Sequence, residues 1–138
     1  MGTKFSTCVW VSVVGIASIF FGSKGYADTV ISVADFGLKP DTRENAVAYV
    51  QKAIEACRGK EPVTLVFPEG RYDFWPQYAH EKNYYETNTY DVFPKRLAML
   101  FEGLHNITVD GSGSQFIMHD RIQPITVENC DGVTLKNF

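Results

Sequence analysis

Residues 101–109, FEGLHNITV, return 26 positions later as residues 127–135, VENCDGVTL. Glu102 falls on Glu128, Leu104 on Cys130, Asn106 on Gly132, Ile107 on Val133, Thr108 on Thr134 and Val109 on Leu135. An offset of this size lies within the roughly 20–50 residue period of stacked repeats, whose units bury their apolar faces only against one another. Asn106 and Gly132 both tolerate left-handed backbone and occupy the same point of the repeat, as a corner stacked on a corner requires. The pattern predicts an all-β solenoid, a parallel β-helix of about two coils. The second copy stops three residues before Phe138, so the chain is expected to be the opening of a longer protein, truncated at its C-terminal side.

Around the repeat, Leu97 to Phe101, Ile107 to Val109, Gln115 to Met118, Ile125 to Val127 and Val133 to Leu135 are short β-type runs separated by turn residues. Strands joined by turns are also the mark of a sandwich, which stays open as a rival. Upstream, Val30 to Val33 and Val63 to Phe67 read as strands, the second leading into Pro68-Glu69-Gly70. Between them Asp41 and Glu44 have capping-box spacing. Ala46, Val47, Val50, Ala53, Ile54 and Cys57 then recur at helical intervals, so an amphipathic helix ending near Gly59 is expected to cap the N-terminal end of the solenoid. Residues 71–95 carry many aromatics without either periodicity and read as a long insertion held by its own rings.

Lys4, the uncharged run Phe5 to Ser23 and the small residues flanking Tyr26 predict a secretory signal over residues 1–27, cleaved after Ala27. An uncleaved anchor is the alternative, since a spanning helix needs ~20 apolar residues. Residues 28–138 would then form one domain, and loss of Lys4 and Lys24 deepens the net charge from -3 to -5. That sign argues against nucleic acid or an anionic membrane as partner. Cys57 and Cys130 read as free thiols, and no metal-ligand spacing is present.

ISVADFG (31–37), VFPEGRYDFWP (66–76), EKNYYETNT (81–89), PKRLAMLFEG (94–103) and HDRIQP (119–124) together resemble the N-terminal part of glycoside hydrolase family 110, exo-acting bacterial α-1,3-galactosidases. The resemblance implies a right-handed parallel β-helix, hydrolysis of terminal α-linked galactose from oligosaccharides or glycoconjugates such as blood-group-B-like glycans, and inversion. It also implies no metal cofactor, and no other cofactor is expected; together with the signal segment it points to a bacterial protein that is secreted or periplasmic. The catalytic carboxylates of such an enzyme are expected beyond Phe138. Two other readings stand beside it: another β-helix polysaccharide-degrading enzyme, and a non-enzymatic glycan-binding β-helix module.

An inverting glycosidase needs an acid and a base about 6.5–9.5 Å apart. In the 26-residue register Asp110 falls on Lys136 and Asp131 on His105, so only Glu102 and Glu128 stack two carboxylates, and their place before a turn reads as a solvated corner. Substrate binding is the better role for residues in this chain. His119, Asp120 and Arg121, followed by Gln123, offer donors and acceptors for sugar hydroxyls, or else an Asp–Arg pair that merely organises a turn. Trp75, Tyr84 and Tyr85 offer aromatic faces for a pyranose ring, or else pack a small core of their own.

Overall fold

The computed structural model describes residues 28–83 and 94–138. The predicted signal segment and Tyr84, Tyr85, Tyr90 and Phe93 lie outside them. Nine strands and one α-helix follow in the order β1 (Thr29–Ser32), α1 (Val47–Cys57), β2 (Val63–Val66), β3 (Arg71–Phe74), β4 (His80–Asn83), β5 (Pro94–Glu102), β6 (His105–Asp110), β7 (Gln115–Met118), β8 (Gln123–Glu128) and β9 (Asp131–Lys136). They form three sheets, ordered β1-β2-β6-β9, β3-β7 and β4-β5-β8. Every pairing is parallel except β4 with β5. The chain is thus β-rich, with parallel and mixed sheets and a single α-helix among the described residues.

The 26-residue repeat is the pairing register itself. Glu102 lies beside Glu128, His105 beside Asp131, Thr108 beside Thr134, Val109 beside Leu135 and Asp110 beside Lys136. The expected corner is also present. Asn106 and Gly132 have φ of 49° and 68°, and a Cβ on Gly132 would come within 2.6 Å of Asn106 Oδ1. A second register joins β2 to β6 and β3 to β7, pairing Leu65 with Val109 and Tyr72 with Phe116.

Alternation within the strands decides which side chains enter the core. Val63 and Leu65 of β2 are buried, and Ile107 and Val109 of β6 continue the same rows; each fully buried aliphatic side chain contributes about 1.5–3 kcal/mol. Phe67, Tyr72, Phe74 and Phe116 pack edge-on and stacked, with ring centroids 5.0 to 5.9 Å apart. The helix buries Val47, Val50, Ala53, Ile54 and Cys57, the residues its periodicity selected, and packs against β5, β1 and β2. Both thiols are free, and burial pushes that of Cys57 up to about 11.

Two expectations need correction. Asp41 and Glu44 do not cap the helix. Asp41 turns away, its Oδ1 accepting from the Arg71 backbone N–H at 3.0 Å, while Asn45 Oδ1 accepts from the Val47 N–H at 3.2 Å. The capping-box spacing has a stronger competitor for Asp41 in the turn before β3. Nor is the stretch from Arg71 to Lys95 a self-contained insertion. Residues 71–74 are a strand of the main body with Tyr72 and Phe74 in its core, and β4 runs antiparallel to β5. The aromatic spacing hid a four-residue strand buried at three successive positions, which shows no alternation to read.

Candidate functional site

The polar groups of this chain converge where β3 ends beside β7. On β3, Arg71 and Asp73 are two residues apart and therefore project from the same side of the strand. Arg71 grips the Asp73 carboxylate with two parallel bonds, Nη2 to Oδ1 at 2.6 Å and Nε to Oδ2 at 2.9 Å. Such forked pairs are among the stronger charge-assisted contacts. The β3–β7 register sets Phe74 beside Met118, and the next residue, His119, donates its backbone N–H to the Phe74 carbonyl at 2.9 Å. That places His119 Nε2 2.7 Å from Asp73 Oδ1.

The Asp73 side chain is only 1% exposed, so its charge is held by these partners rather than by water. The Arg71 hydrogen bonds, followed by that of His119, outweigh burial and hold the carboxyl down at about 2. Asp73 is therefore an anion at neutral pH, with oxygens that only accept.

His119 stacks flat on Trp75, with ring centroids 4.0 Å apart and planes 2° from parallel. Trp75 is fixed through its backbone by Asn45, whose Oδ1 accepts the Trp75 N–H at 3.2 Å and whose Nδ2 donates to the carbonyls of Trp75 and Gln77. Asn45, two residues before α1, thereby ties the start of the helix to the loop that carries the indole. One face of that indole is covered by the imidazole.

Of the candidates named from sequence, the structure brings Trp75 and His119 together. Asp120 and Arg121 follow in an exposed turn, Asp120 with φ of 59°, and among the described residues no ion pair joins their side chains. The turn is shaped by backbone, with no Asp–Arg contact organising it. Gln123 lies on β8, where its Nε2 donates to Thr126 Oγ1 at 3.0 Å. Tyr85 is outside the described residues. Sequence reasoning missed Arg71, Asp73 and Asn45. Aligning VTLVFPEGRYDF (63–74) on ITVDGSGSQFIM (107–118) would have set Asp73 opposite Ile117, two residues from His119.

A second polar cluster lies at the stacked glutamates. Lys82 Nζ on β4 is 2.8 Å from Glu102 Oε1 and 2.6 Å from Glu128 Oε2. With one ammonium holding both, the nearest oxygens are closer than the roughly 6.5 Å lower limit for an inverting acid and base. No group of three or more His, Cys, Asp or Glu residues suited to a metal ion occurs among the described residues.

These features define a β-rich protein of parallel strands whose polar cluster joins a buried carboxylate to an aromatic–imidazole pair. No protein-family model matches the chain. Curated relatives do. It is 62% identical over 112 residues, 81% of its length, to alpha-1,3-galactosidase B of Bacteroides thetaiotaomicron, of which it covers 18%. It is 39% identical over 108 residues to alpha-1,3-galactosidase A of Shewanella woodyi, covering 78% of the chain and 18% of the relative. Against an alpha-1,3-galactosidase B of Phocaeicola vulgatus it is 37% identical over 139 residues, covering 97% of the chain and 22% of the relative. The chain spans about a fifth of the length of these relatives, and by sequence it is a segment of the alpha-1,3-galactosidase family.

Proposed function

We propose that residues 28–138 are the opening of a right-handed parallel β-helix in a glycosidase that removes terminal α-1,3-linked galactose with inversion. The observation that carries this reading is the 62% identity to an alpha-1,3-galactosidase over most of the chain. The parallel register supports the β-helix, since strands of three sheets are revisited in turn and paired one winding later. The substrate is a galactose-terminated oligosaccharide or glycoconjugate, and residues 1–27 export the protein from a bacterial cell to the periplasm or beyond.

In this reading the segment contributes binding and architecture, and the acid and base stand on other coils. Asp73 is committed to Arg71 and His119, and Glu102 and Glu128 to Lys82. The Trp75–His119 pair, with Arg121 and Asp120 in the turn that follows, offers the aromatic edge and the hydroxyl partners that a galactose ring requires.

The test is to incubate the complete protein that carries this segment with galactosyl-α-1,3-galactose, its α-1,4-linked isomer and polygalacturonate. Release of galactose from the α-1,3 disaccharide alone is expected. Cleavage of polygalacturonate would replace this reading with that of a pectin-degrading enzyme, and cleavage of none would leave a glycan-binding module.

A further inference from the structure

The Asp73–His119 contact does more than join two strands, because it is chemically one-sided. An ionised carboxylate has no proton to give, so a 2.7 Å bond from Asp73 Oδ1 to His119 Nε2 requires the proton to sit on Nε2. The Arg71 fork prevents the carboxylate from rotating to a different arrangement, since both oxygens are engaged at 2.6 and 2.9 Å. The stack on Trp75 fixes the ring plane as the hydrogen bond fixes its edge. Among the described residues no hydrogen bond reaches Nδ1, and the His119 side chain keeps 32% of its surface exposed. A neutral imidazole held this way has one free acceptor, in a known position.

We propose that Asp73, clamped by Arg71, is a positioning residue that locks the His119 proton on Nε2, so that Nδ1 is the acceptor for a donating hydroxyl of an α-galactoside. The inference rests on the galactosidase reading for its ligand, but the lock itself does not. A hydroxyl that donates to Nδ1 keeps its own oxygen free to accept from a neighbouring donor, and Arg121, two residues on, carries five N–H groups. A ring in the opposite tautomer would present a donor there and meet the same hydroxyl only through its lone pairs. The lock therefore selects how the sugar is oriented.

The test uses the full chain labelled with ¹⁵N in its histidines. Long-range ¹H–¹⁵N spectra at neutral pH report the tautomer of His119, first alone and then during titration with methyl α-D-galactopyranoside, with the α-glucoside as control. The Nε2–H pattern is expected, with the Nδ1 resonance moving on addition of the galactoside. In Asp73→Asn an amide can accept from Nε2–H or donate to a bare Nε2, so both tautomers should appear and galactoside affinity should fall about tenfold. An Nδ1–H pattern in the wild-type chain overturns the lock. Galactoside shifts elsewhere with Nδ1 unmoved overturn the acceptor role while the galactose reading survives. An intact lock with no shift anywhere overturns the ligand of His119, while the galactosidase reading stands or falls on hydrolysis by the complete protein. The wild-type spectra decide the matter even if Asp73→Asn does not fold.

Discussion

Glu102 and Glu128, paired side by side in the parallel β5–β8 register, share a counter-ion: the Lys82 ammonium lies 2.8 Å from one carboxylate and 2.6 Å from the other. Like charges facing each other across a ladder oppose pairing. Here the antiparallel strand β4, laid along β5, supplies the cation that turns the repulsion into a bridge. The lysine hydrogen bond is the main reason the Glu102 carboxyl lies below its ordinary range.

Lys82→Met should therefore lower Tm, and the loss should shrink as salt is raised, because the bare glutamate pair is exposed to screening. Adding Glu128→Gln to Lys82→Met should recover most of it. Thermal melts of the three proteins at low and high ionic strength check this. An unchanged Tm in Lys82→Met would show the bridge to be energetically silent.

Asp73 makes stability depend on acid. Its carboxyl titrates at about 2 in the folded chain, against an ordinary 3.8, so the unfolded state takes up the proton first as pH falls. The stabilisation is complete above pH 4 and is lost as pH falls through 2, amounting to roughly 2 kcal/mol. Asp73→Asn should lose about that much at pH 7, leaving Arg71 and His119 without a charged partner, and should then show a flatter stability profile between pH 4 and 2. Urea melts across that range measure both effects.

The corner glycines separate backbone strain from crowding. Gly132 and Gly113 have similar φ, 68° and 76°, but a Cβ would meet Asn106 Oδ1 at 2.6 Å in the first and nothing within 4 Å in the second. Each alanine carries the strain of positive φ, on the order of 1 kcal/mol. Gly132→Ala should cost about 1 kcal/mol more than Gly113→Ala, because the Asn106 amide must turn aside and the Asn106 backbone N and Cα, at 3.3 Å, leave the methyl little room. Equal losses would mean that the Asn106 side chain swings away from the corner at no cost.

Arg121→Ala in the complete protein should raise KM for an α-1,3-galactoside about tenfold, the scale of one lost hydrogen bond to a charged group, with Tm unchanged. The side chain is exposed and bonded to no described residue, so a structural role would predict a shift in Tm that the binding role does not. Unchanged kinetics with unchanged melting would remove Arg121 from the site.

The sequence made legible whatever repeats or alternates. The offset between FEGLHNITV and VENCDGVTL is the strand register, and the apolar periodicity from Val47 to Cys57 is the buried face of the helix. Local chemistry with two possible partners was not legible. Asp41 has the spacing of a cap but bonds to Arg71, whereas Asn45, directly before Ala46, accepts from the Val47 N–H. Arg71–Phe74 lacks alternation because three of its four residues are buried. The site was half visible for the same reason: Trp75 and His119 stood out as residue types, whereas Asp73 gains its role only from a register of 44 residues that no local motif encodes.

The proposal that this chain is a segment of an inverting α-1,3-galactosidase can be checked by following hydrolysis of the methyl glycoside of galactosyl-α-1,3-galactose with ¹H NMR in the first minutes of reaction with the complete protein. β-Galactose is expected as the first product, equilibrating later with the α-anomer. α-Galactose as the first product, or intact disaccharide throughout, would contradict it.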